Sequence, residues 1–266
     1  MAKSKEKETK VETEDKELSI EITPEQLEEL RGNVMQTVMS IGLNERLYLE
    51  NLSNRLFYLD SDVDESILHT ITMQIYKING SDYGIPVEER QPIIIIINSY
   101  GGSVLDGLAL MDAIKNSKTP VIGVCTGYAM SMAFCIFSAC HTRIAIPNAI
   151  FMYHDGYDGF QTSTTKFNDW SDFSKRLFKR VDKLIAERTK FTVEFLEQIA
   201  PHDNYWFTDE MVEKGLVDGI IGQDIDMEEL FSFLSDEVEI HLCGCEQEDD
   251  NDTNNDKCNC KKKKNK

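Results

Sequence analysis

The sequence lacks a long hydrophobic run, a secretory leader and an excess of positive charge. None of its 266 residues form an uninterrupted apolar stretch long enough to span a bilayer. The first residues, Met1-Ala2-Lys3-Ser4-Lys5-Glu6, are charged and have no apolar segment behind them, so we expect no signal peptide. The formal net charge of −19 argues against nucleic acid or an anionic membrane as the main partner.

The chain also lacks the even cysteine count of a disulfide-stabilised domain, because it has seven. Cys125, Cys135 and Cys140 lie in strongly apolar segments, which predicts buried free thiols. We therefore expect a reducing, cytoplasmic location. The other four form two Cys-x-Cys units near the carboxyl end: Cys243, Cys245, Cys258 and Cys260. Four thiols could bind zinc. The spacing is one residue short of Cys-x-x-Cys and the intervening segment is acidic, so we favour a tail without metal, and we expect no cofactor.

Charge divides the chain into four segments. Residues 1–22 are almost wholly charged, which predicts a disordered extension. The signature Thr23-Pro24-Glu25 predicts a helix that begins at Pro24, within residues 23–44. Residues 45–236 carry the apolar periodicities of a folded domain. Residues 237–266 form a polar tail, which we expect to be flexible.

Strand and helix patterns alternate within residues 45–236. The run Ile93–Ile97 is β-branched throughout, which is typical of a parallel strand buried on both faces. Strands are also predicted at Arg46–Leu49, Pro120–Cys125, Arg143–Ile146, Ala149–Tyr153 and Leu216–Ile221. Helices are predicted at Ser61–Tyr76, Ser103–Asn116, Ser131–Cys140, Asn168–Thr189, Val193–Ile199 and Thr208–Lys214. This βαβ order predicts an α/β fold.

Three motifs lie at the ends of predicted strands in the centre of the chain. The first is Asn98-Ser99-Tyr100-Gly101-Gly102-Ser103, the second is Gly127-Tyr128-Ala129-Met130-Ser131-Met132, and the third is Phe151-Met152-Tyr153-His154. A Gly-Gly turn, a serine at a strand-to-helix junction and a histidine at a strand end are the donor, nucleophile and base that a serine hydrolase needs. The Gly-x-Ser-x-Gly elbow of α/β-hydrolases is absent, because Ala129 and Ala133 replace both glycines.

The order and spacing of these motifs resemble the Clp protease proteolytic subunit (ClpP) family over about residues 45–222. Gly102 and Ser131 lie 29 positions apart, as in that family, and His154 follows Ser131 at a similar distance. Tyr100 stands where the family has proline. The resemblance implies a ClpP/crotonase-like fold, a spiral of βαβ units from which a handle helix, here residues 168–189, projects.

The resemblance also implies a catalytic set. Ser131 would be the nucleophile and His154 the base, with the amides of Gly101 and Met132 as the oxyanion hole. The acid of the triad is harder to place. Counting back from the helix at 208–214 without gaps leads to Ile199, whereas a short deletion in the loop leads to Asp203. We predict Asp203 as the acid, with Asn204 a poorer substitute. The alternative is that Asp203 only caps the next helix or lies in solvent.

An activity and its partners are implied as well. Members of the family hydrolyse unfolded polypeptide inside two stacked seven-membered rings and are fed by an AAA+ Clp ATPase. The charged amino-terminal extension departs from the family's short pore loops, which leaves ATPase docking open. Three alternatives remain: a head-maturation protease of the tailed-phage type, a non-catalytic subunit of a ClpP-like ring, and a crotonase-type acyl-CoA enzyme. The presence of both Ser131 and His154 counts against the last.

Overall fold

The structure is a computed structural model that describes residues 23, 42–156 and 162–232. The predicted helix from Pro24, the charged extension and the cysteine-bearing tail lie outside these residues. No helix among the described residues is long and apolar enough to cross a membrane.

Short strands alternate with helices along the described chain. The strands are β1 Leu56–Leu59, β2 Ile93–Ser99, β3 Val121–Met130, β4 Thr142–Ala145, β5 Ile150–Tyr153, β6 Asn204–Phe207 and β7 Gly219–Ile220. The α-helices are α1 Leu43–Ser53, α2 Met73–Ser81, α3 Val104–Asn116, α4 Met132–Ala139, α5 Thr164–Ala186, α6 Val193–Ile199, α7 Thr208–Glu213 and α8 Met227–Phe231. A π-helical turn, Leu68–Thr72, leads into α2, and a 3-10 turn, Val87–Glu89, precedes β2.

One mostly parallel sheet organises these elements. Its order is β1-β2-β3-β4-β7, with every neighbouring pair parallel. The long strand β3 changes partner along its length: residues 122–125 pair with β4, and residues 128–130 pair with β5. Strand β6 then adds to β5 in the antiparallel direction. The predicted α/β class with a parallel sheet is confirmed.

The core lies on both faces of this sheet. Ile93, Ile94, Ile95 and Ile97 of β2 have no exposed surface, as the β-branched run predicted. The larger cluster packs the sheet against α3, α4 and the end of α5. The smaller cluster lies on the opposite face and comprises Leu56, Ile94, Val124, Ile144 and Ile221. All residues of α4 are buried, so the helix that follows Ser131 is anchored along its whole length.

Two strand predictions differ from the structure. Residues 46–49 were predicted as a strand, but they lie within α1 and the edge strand begins at Leu56. Leu47, Tyr48 and Leu49 are each about half exposed, so no buried face imposes a strand on them. Strand β6 was not predicted, because four residues that follow a loop show no clear period. It forms through pairing with β5, a contact between distant parts of the chain.

Arginine side chains attach the end of α5 to the sheet. Arg143, on β4, donates two hydrogen bonds to the Asp218 carboxylate and one to the carbonyl oxygen of Arg188. Arg188 in turn donates to the carbonyl oxygen of Cys140, just after α4. These charge-assisted bonds fix the base of the long helix relative to the strands that carry the candidate site.

Candidate active site

Ser131 lies at the junction of β3 and α4 in a strained backbone conformation. Its φ of 51° and ψ of −120° place a non-glycine residue in a region that side chains disfavour. Such strain costs about 1–3 kcal/mol and persists only where the surroundings impose it. Here the Ser131 amide donates to the Met152 carbonyl oxygen at 2.8 Å, and the buried helix α4 holds the next residue. The strain turns the hydroxyl away from the strand and into a cleft.

The structure brings the three predicted side chains together. Nε2 of His154 lies 2.9 Å from Oγ of Ser131, and Nδ1 of His154 lies 2.9 Å from Oδ1 of Asp203. Pairing of β3 with β5 aligns Met130 with Met152, so Ser131 and His154 leave adjacent strand ends. Pairing of β5 with β6 aligns Tyr153 with Asn204, so Asp203 lies beside His154. The sheet register therefore sets the geometry of the triad.

The contacts of the ring indicate which nitrogen carries the proton. A carboxylate only accepts hydrogen bonds, so Nδ1 donates to Asp203 and Nε2 is left to accept from the Ser131 hydroxyl. This is the arrangement that a general base requires. The His154 side chain is 24% exposed and that of Asp203 is 57% exposed. Solvent therefore weakens the influence of the carboxylate on the imidazole.

Asp203 does not cap the following helix. Helix α7 begins at Thr208, and its amino end is closed by the Glu210 side chain, which accepts from the Phe207 amide. The side-chain amide of Asn204 instead donates to the carbonyl oxygens of Tyr153, Ile199 and His202. Asn204 thus holds the loop that carries Asp203 in place. The sequence did not predict this role.

The backbone donors near Ser131 differ from the prediction at one position. The Gly101 amide, predicted for the oxyanion hole, donates to the hydroxyl of Ser99 at 3.1 Å and is therefore engaged within its own loop. Among the described residues, the amides of Gly102 and Met132 donate to no acceptor. Gly102 is the better candidate for the second donor. The sequence offers no local signal that separates the two adjacent glycines.

Glycine is required at position 101 because the loop touches the nucleophile turn. Its φ is +98°, and a Cβ there would lie 2.6 Å from the Met130 carbonyl oxygen and 2.7 Å from the Met132 nitrogen. The Ser99 hydroxyl holds the loop from the other side, donating to the Ser61 carbonyl oxygen at 2.5 Å. The Gly-Gly segment therefore lies against the start of α4, where unpaired amides and the helix dipole favour a developing anion.

Ser131 opens into a cleft of about 650 Å³. One end is apolar and is formed by α5 and α4. Its lining there comprises Trp170, Leu177, Phe178, Val181, Met132 and Cys135. Another part of the lining is formed by Asp62 and by residues 100–105. The cleft is large enough for several side chains of a polypeptide but has a distinct apolar end.

A buried polar pair lies beneath the apolar end. The Tyr153 hydroxyl donates to Oδ1 of Asp182 on α5, and both side chains are buried. Burial raises the pKa of the Asp182 carboxyl, an effect that the Tyr153 hydrogen bond opposes. Burial also raises the pKa of the nearby Cys135 thiol to about 12, so this thiol stays protonated. The pair attaches α5 to the residue immediately before His154.

We expect the Asp182→Asn variant to gain stability relative to wild type as the pH rises from 4 to 7. A raised pKa means that the folded protein binds this proton more tightly than the unfolded chain. Wild type therefore loses stability as the pH rises above 3.8 and through the raised value. The asparagine oxygen still accepts from Tyr153, so at pH 4 the two proteins should lie within about 1 kcal/mol. Thermal unfolding across this range measures the difference.

Asp172→Asn is the matched control, because Asp172 lies on the same helix but is largely exposed. Its stability relative to wild type should change little with pH. A constant difference between Asp182→Asn and wild type would show that burial does not perturb this carboxyl.

A family model described as Clp protease matches residues 43–224 of the chain. The match contains all three motifs and the whole of the cleft. Among the described residues no group of three or more potential ligands could hold a metal ion. The resemblance stated from the motifs is confirmed: the chain belongs to the Clp protease family, a family of peptidases.

Proposed function

We propose that this protein is a serine endopeptidase in which Ser131 is the nucleophile, His154 the general base and Asp203 the acid that orients it. The observation that carries the proposal is the continuous hydrogen-bonded chain from Ser131 through His154 to Asp203, with both contacts at 2.9 Å. The family match supports a peptidase, and the geometry supports the serine type. A non-catalytic ring subunit would have no need for this aligned chain of side chains.

The reaction follows from the position of each group. Ser131 Oγ attacks the scissile carbonyl carbon while Nε2 of His154 takes the hydroxyl proton. The oxygen that becomes negative accepts hydrogen bonds from the amides of Met132 and Gly102. The imidazolium, stabilised by Asp203, then gives its proton to the leaving amine, and an acyl-enzyme remains on Ser131. Water, deprotonated by His154, attacks the ester and releases the second product.

The cleft supports unfolded polypeptide as the substrate. Apolar side chains of α4 and α5 line one end, so an apolar residue of the substrate would bury its side chain there. At about 25 cal/mol per Å² of apolar surface, one such side chain contributes roughly 1.5–3 kcal/mol to binding. An unfolded chain is free to adopt the extended conformation that brings its scissile carbonyl to Ser131, because its backbone is not paired in a sheet or helix.

Labelling with a fluorophosphonate tests the proposal. The purified protein should react at Ser131, as located by mass spectrometry of the labelled peptide, because only an activated serine attacks this reagent at neutral pH. Ser138→Ala serves as the control, since Ser138 lies on α4 but only donates to the Cys135 carbonyl oxygen. The control should label as wild type does. Absence of label from native, folded wild-type protein would count against a serine mechanism.

We further propose that the chain assembles into a tetradecameric double ring in the cytoplasm and receives substrate from an AAA+ Clp ATPase. The exposed apolar side chains support assembly. Those on the π-turn and α2 are Leu68, Met73 and Tyr76, and those on α5 are Phe167 and Phe173. Single exposed apolar residues are ordinary, but recurrence along two helices favours burial against further copies. The buried free thiols Cys125, Cys135 and Cys140 suit a reducing compartment.

Light scattering should therefore return a mass many times the 30.4 kDa of one chain. The expected value at micromolar concentration, in glycerol and salt, is that of a tetradecamer. Phe173→Glu, which places a charge on the exposed side of α5, should reduce the mass to that of a smaller assembly. A monomeric mass for the wild type under these conditions would contradict the ring.

A further inference from the structure

The part of the cleft lined by Asp62 and residues 100–105 is built from two short segments that hold each other in place. The Val63 amide donates to the Gly101 carbonyl oxygen at 2.8 Å, and the Ser103 amide donates to the Val63 carbonyl oxygen at 2.7 Å. The Ser99 hydroxyl adds a third bond, to the Ser61 carbonyl oxygen. Residues 61–63 and 99–103 therefore form one bonded unit. Asp62 lies on the first segment and Tyr100 on the second, and both line the cleft.

Tyr100 is an exposed aromatic ring in an ordered position. It is 63% exposed, yet its centroid lies 4.4 Å from that of Tyr128, with an angle of 35° between the ring planes. The Tyr128 amide is itself held by the side-chain oxygen of Asn98 at 3.2 Å. The two rings thus offer a preorganised π surface beside the cleft.

Asp62 places a negative charge beside these rings. Its side chain is exposed, and it forms no ion pair with any residue that the structure describes. Desolvation raises the pKa of Tyr128, with smaller contributions from Tyr100 and from the charge of Asp62, so the carboxylate acts within electrostatic range of the ring pair. An unpaired carboxylate next to aromatic faces attracts a cation through both charge and the ring quadrupole.

We propose that Asp62, Tyr100 and Tyr128 form a subsite that binds a lysine or arginine side chain of the polypeptide substrate close to the scissile bond. The subsite deepens the proposed peptidase function and rests on it. Gly101, the neighbour of Tyr100, packs against the Met132 nitrogen, so a substrate bound at Ser131 passes directly by this unit. The cleft then selects an apolar side chain beside α5 and a cationic one beside Asp62, Tyr100 and Tyr128.

Arginine is expected to be preferred over lysine at this subsite. The guanidinium plane stacks on an aromatic face while its nitrogens donate to a carboxylate, whereas an ammonium is a more strongly hydrated point charge. An exposed ion pair and an exposed cation–π contact each contribute modestly. Together they correspond to an increase of about three- to tenfold in kcat/KM over a neutral side chain.

Internally quenched peptides with one fixed apolar residue before the scissile bond test this inference. A single arginine, lysine or glutamine is placed in turn at each of the neighbouring positions, and kcat/KM is measured for every peptide. The wild type should favour arginine over glutamine about three- to tenfold at one position only. The overall charge of −19 would instead produce a weak preference spread over all positions and removed by salt.

Single-residue variants test which side chains produce the preference for arginine. In Asp62→Asn the arginine-to-glutamine ratio at that position should fall to about one or two, and in Tyr100→Leu it should fall in part. Asp60→Asn is the matched control, because Asp60 is exposed nearby but does not line the cleft, and its ratio should equal that of wild type. An equal ratio at every position, or a ratio that survives Asp62→Asn, would overturn the subsite alone. Failure of wild type to cleave any peptide would overturn the peptidase proposal and the subsite with it.

Discussion

Replacing Ser131 by alanine is expected to lower kcat/KM for a peptide or ester substrate by at least about 10⁴-fold. In the proposed mechanism this hydroxyl forms the acyl-enzyme, and no other described hydroxyl lies within hydrogen-bond distance of His154. The fold should survive, because alanine keeps Cβ and, among the described residues, the one side-chain hydrogen bond removed is that to His154. Steady-state hydrolysis of a chromogenic ester, together with the thermal midpoint, measures both quantities.

The backbone strain at Ser131 gives a second variant for the same position. Glycine adopts a positive φ without cost, so Ser131→Gly should be as inactive as Ser131→Ala but more stable by about 1–2 kcal/mol. Comparing Ser131→Ala with Ser131→Gly separates the loss of the hydroxyl, which both share, from the change in stability, which differs between them. Retention of more than a few per cent of wild-type activity in either variant would place the nucleophile at another residue.

Replacing His154 by alanine is expected to reduce kcat/KM by a similar factor, about 10⁴-fold, because the Ser131 hydroxyl loses its base. The loss should be present across neutral pH. Asp203→Asn should cost less than His154→Ala, since the exposed carboxylate orients the imidazole but is screened by solvent. Acylation by a chromogenic ester, followed at several pH values, ranks the two variants.

His202→Ala is the matched control for this series. His202 lies one residue before Asp203 and is exposed, and its backbone carbonyl accepts from Asn204. The variant keeps that backbone bond and should retain nearly the wild-type rate. Unchanged kinetics in His154→Ala, with a large loss in His202→Ala, would assign the general base to His202 instead.

The parts of the site that the sequence could predict are those determined by nearby residues. Ser131 and His154 each follow a recognisable strand, and each is adjacent to the other residues of its motif. Asp203 depends on a contact across 49 positions, and the length of the intervening loop leaves the alignment ambiguous. The pairing of Tyr153 with Asn204 brings Asp203, rather than Ile199, beside His154. Long-range register is not encoded in local periodicity.

The same reasoning explains the error at Gly101. Two adjacent glycines have identical local properties, and the distinction between them arises from the Ser99 hydroxyl, which occupies the amide of the first. Sequence patterns assign a donor to a loop, but which amide remains unpaired depends on the rotamer and partners of a neighbouring side chain. The strand prediction for residues 46–49 was wrong for a related reason. The exposure of these side chains, rather than an apolar alternation, decided their conformation.

The change of partner along β3 has a consequence for synthesis on the ribosome. Ser131 and His154 both precede α5, whereas Asp203 and β6 follow it. Until β6 has emerged, β5 has a neighbour on one side only and His154 has no carboxylate beside Nδ1. Since domains are built from the amino end during translation, the nucleophile and base come together before the group that orients the base. The growing chain therefore completes the proposed triad late, after most of the fold that carries it has been synthesised.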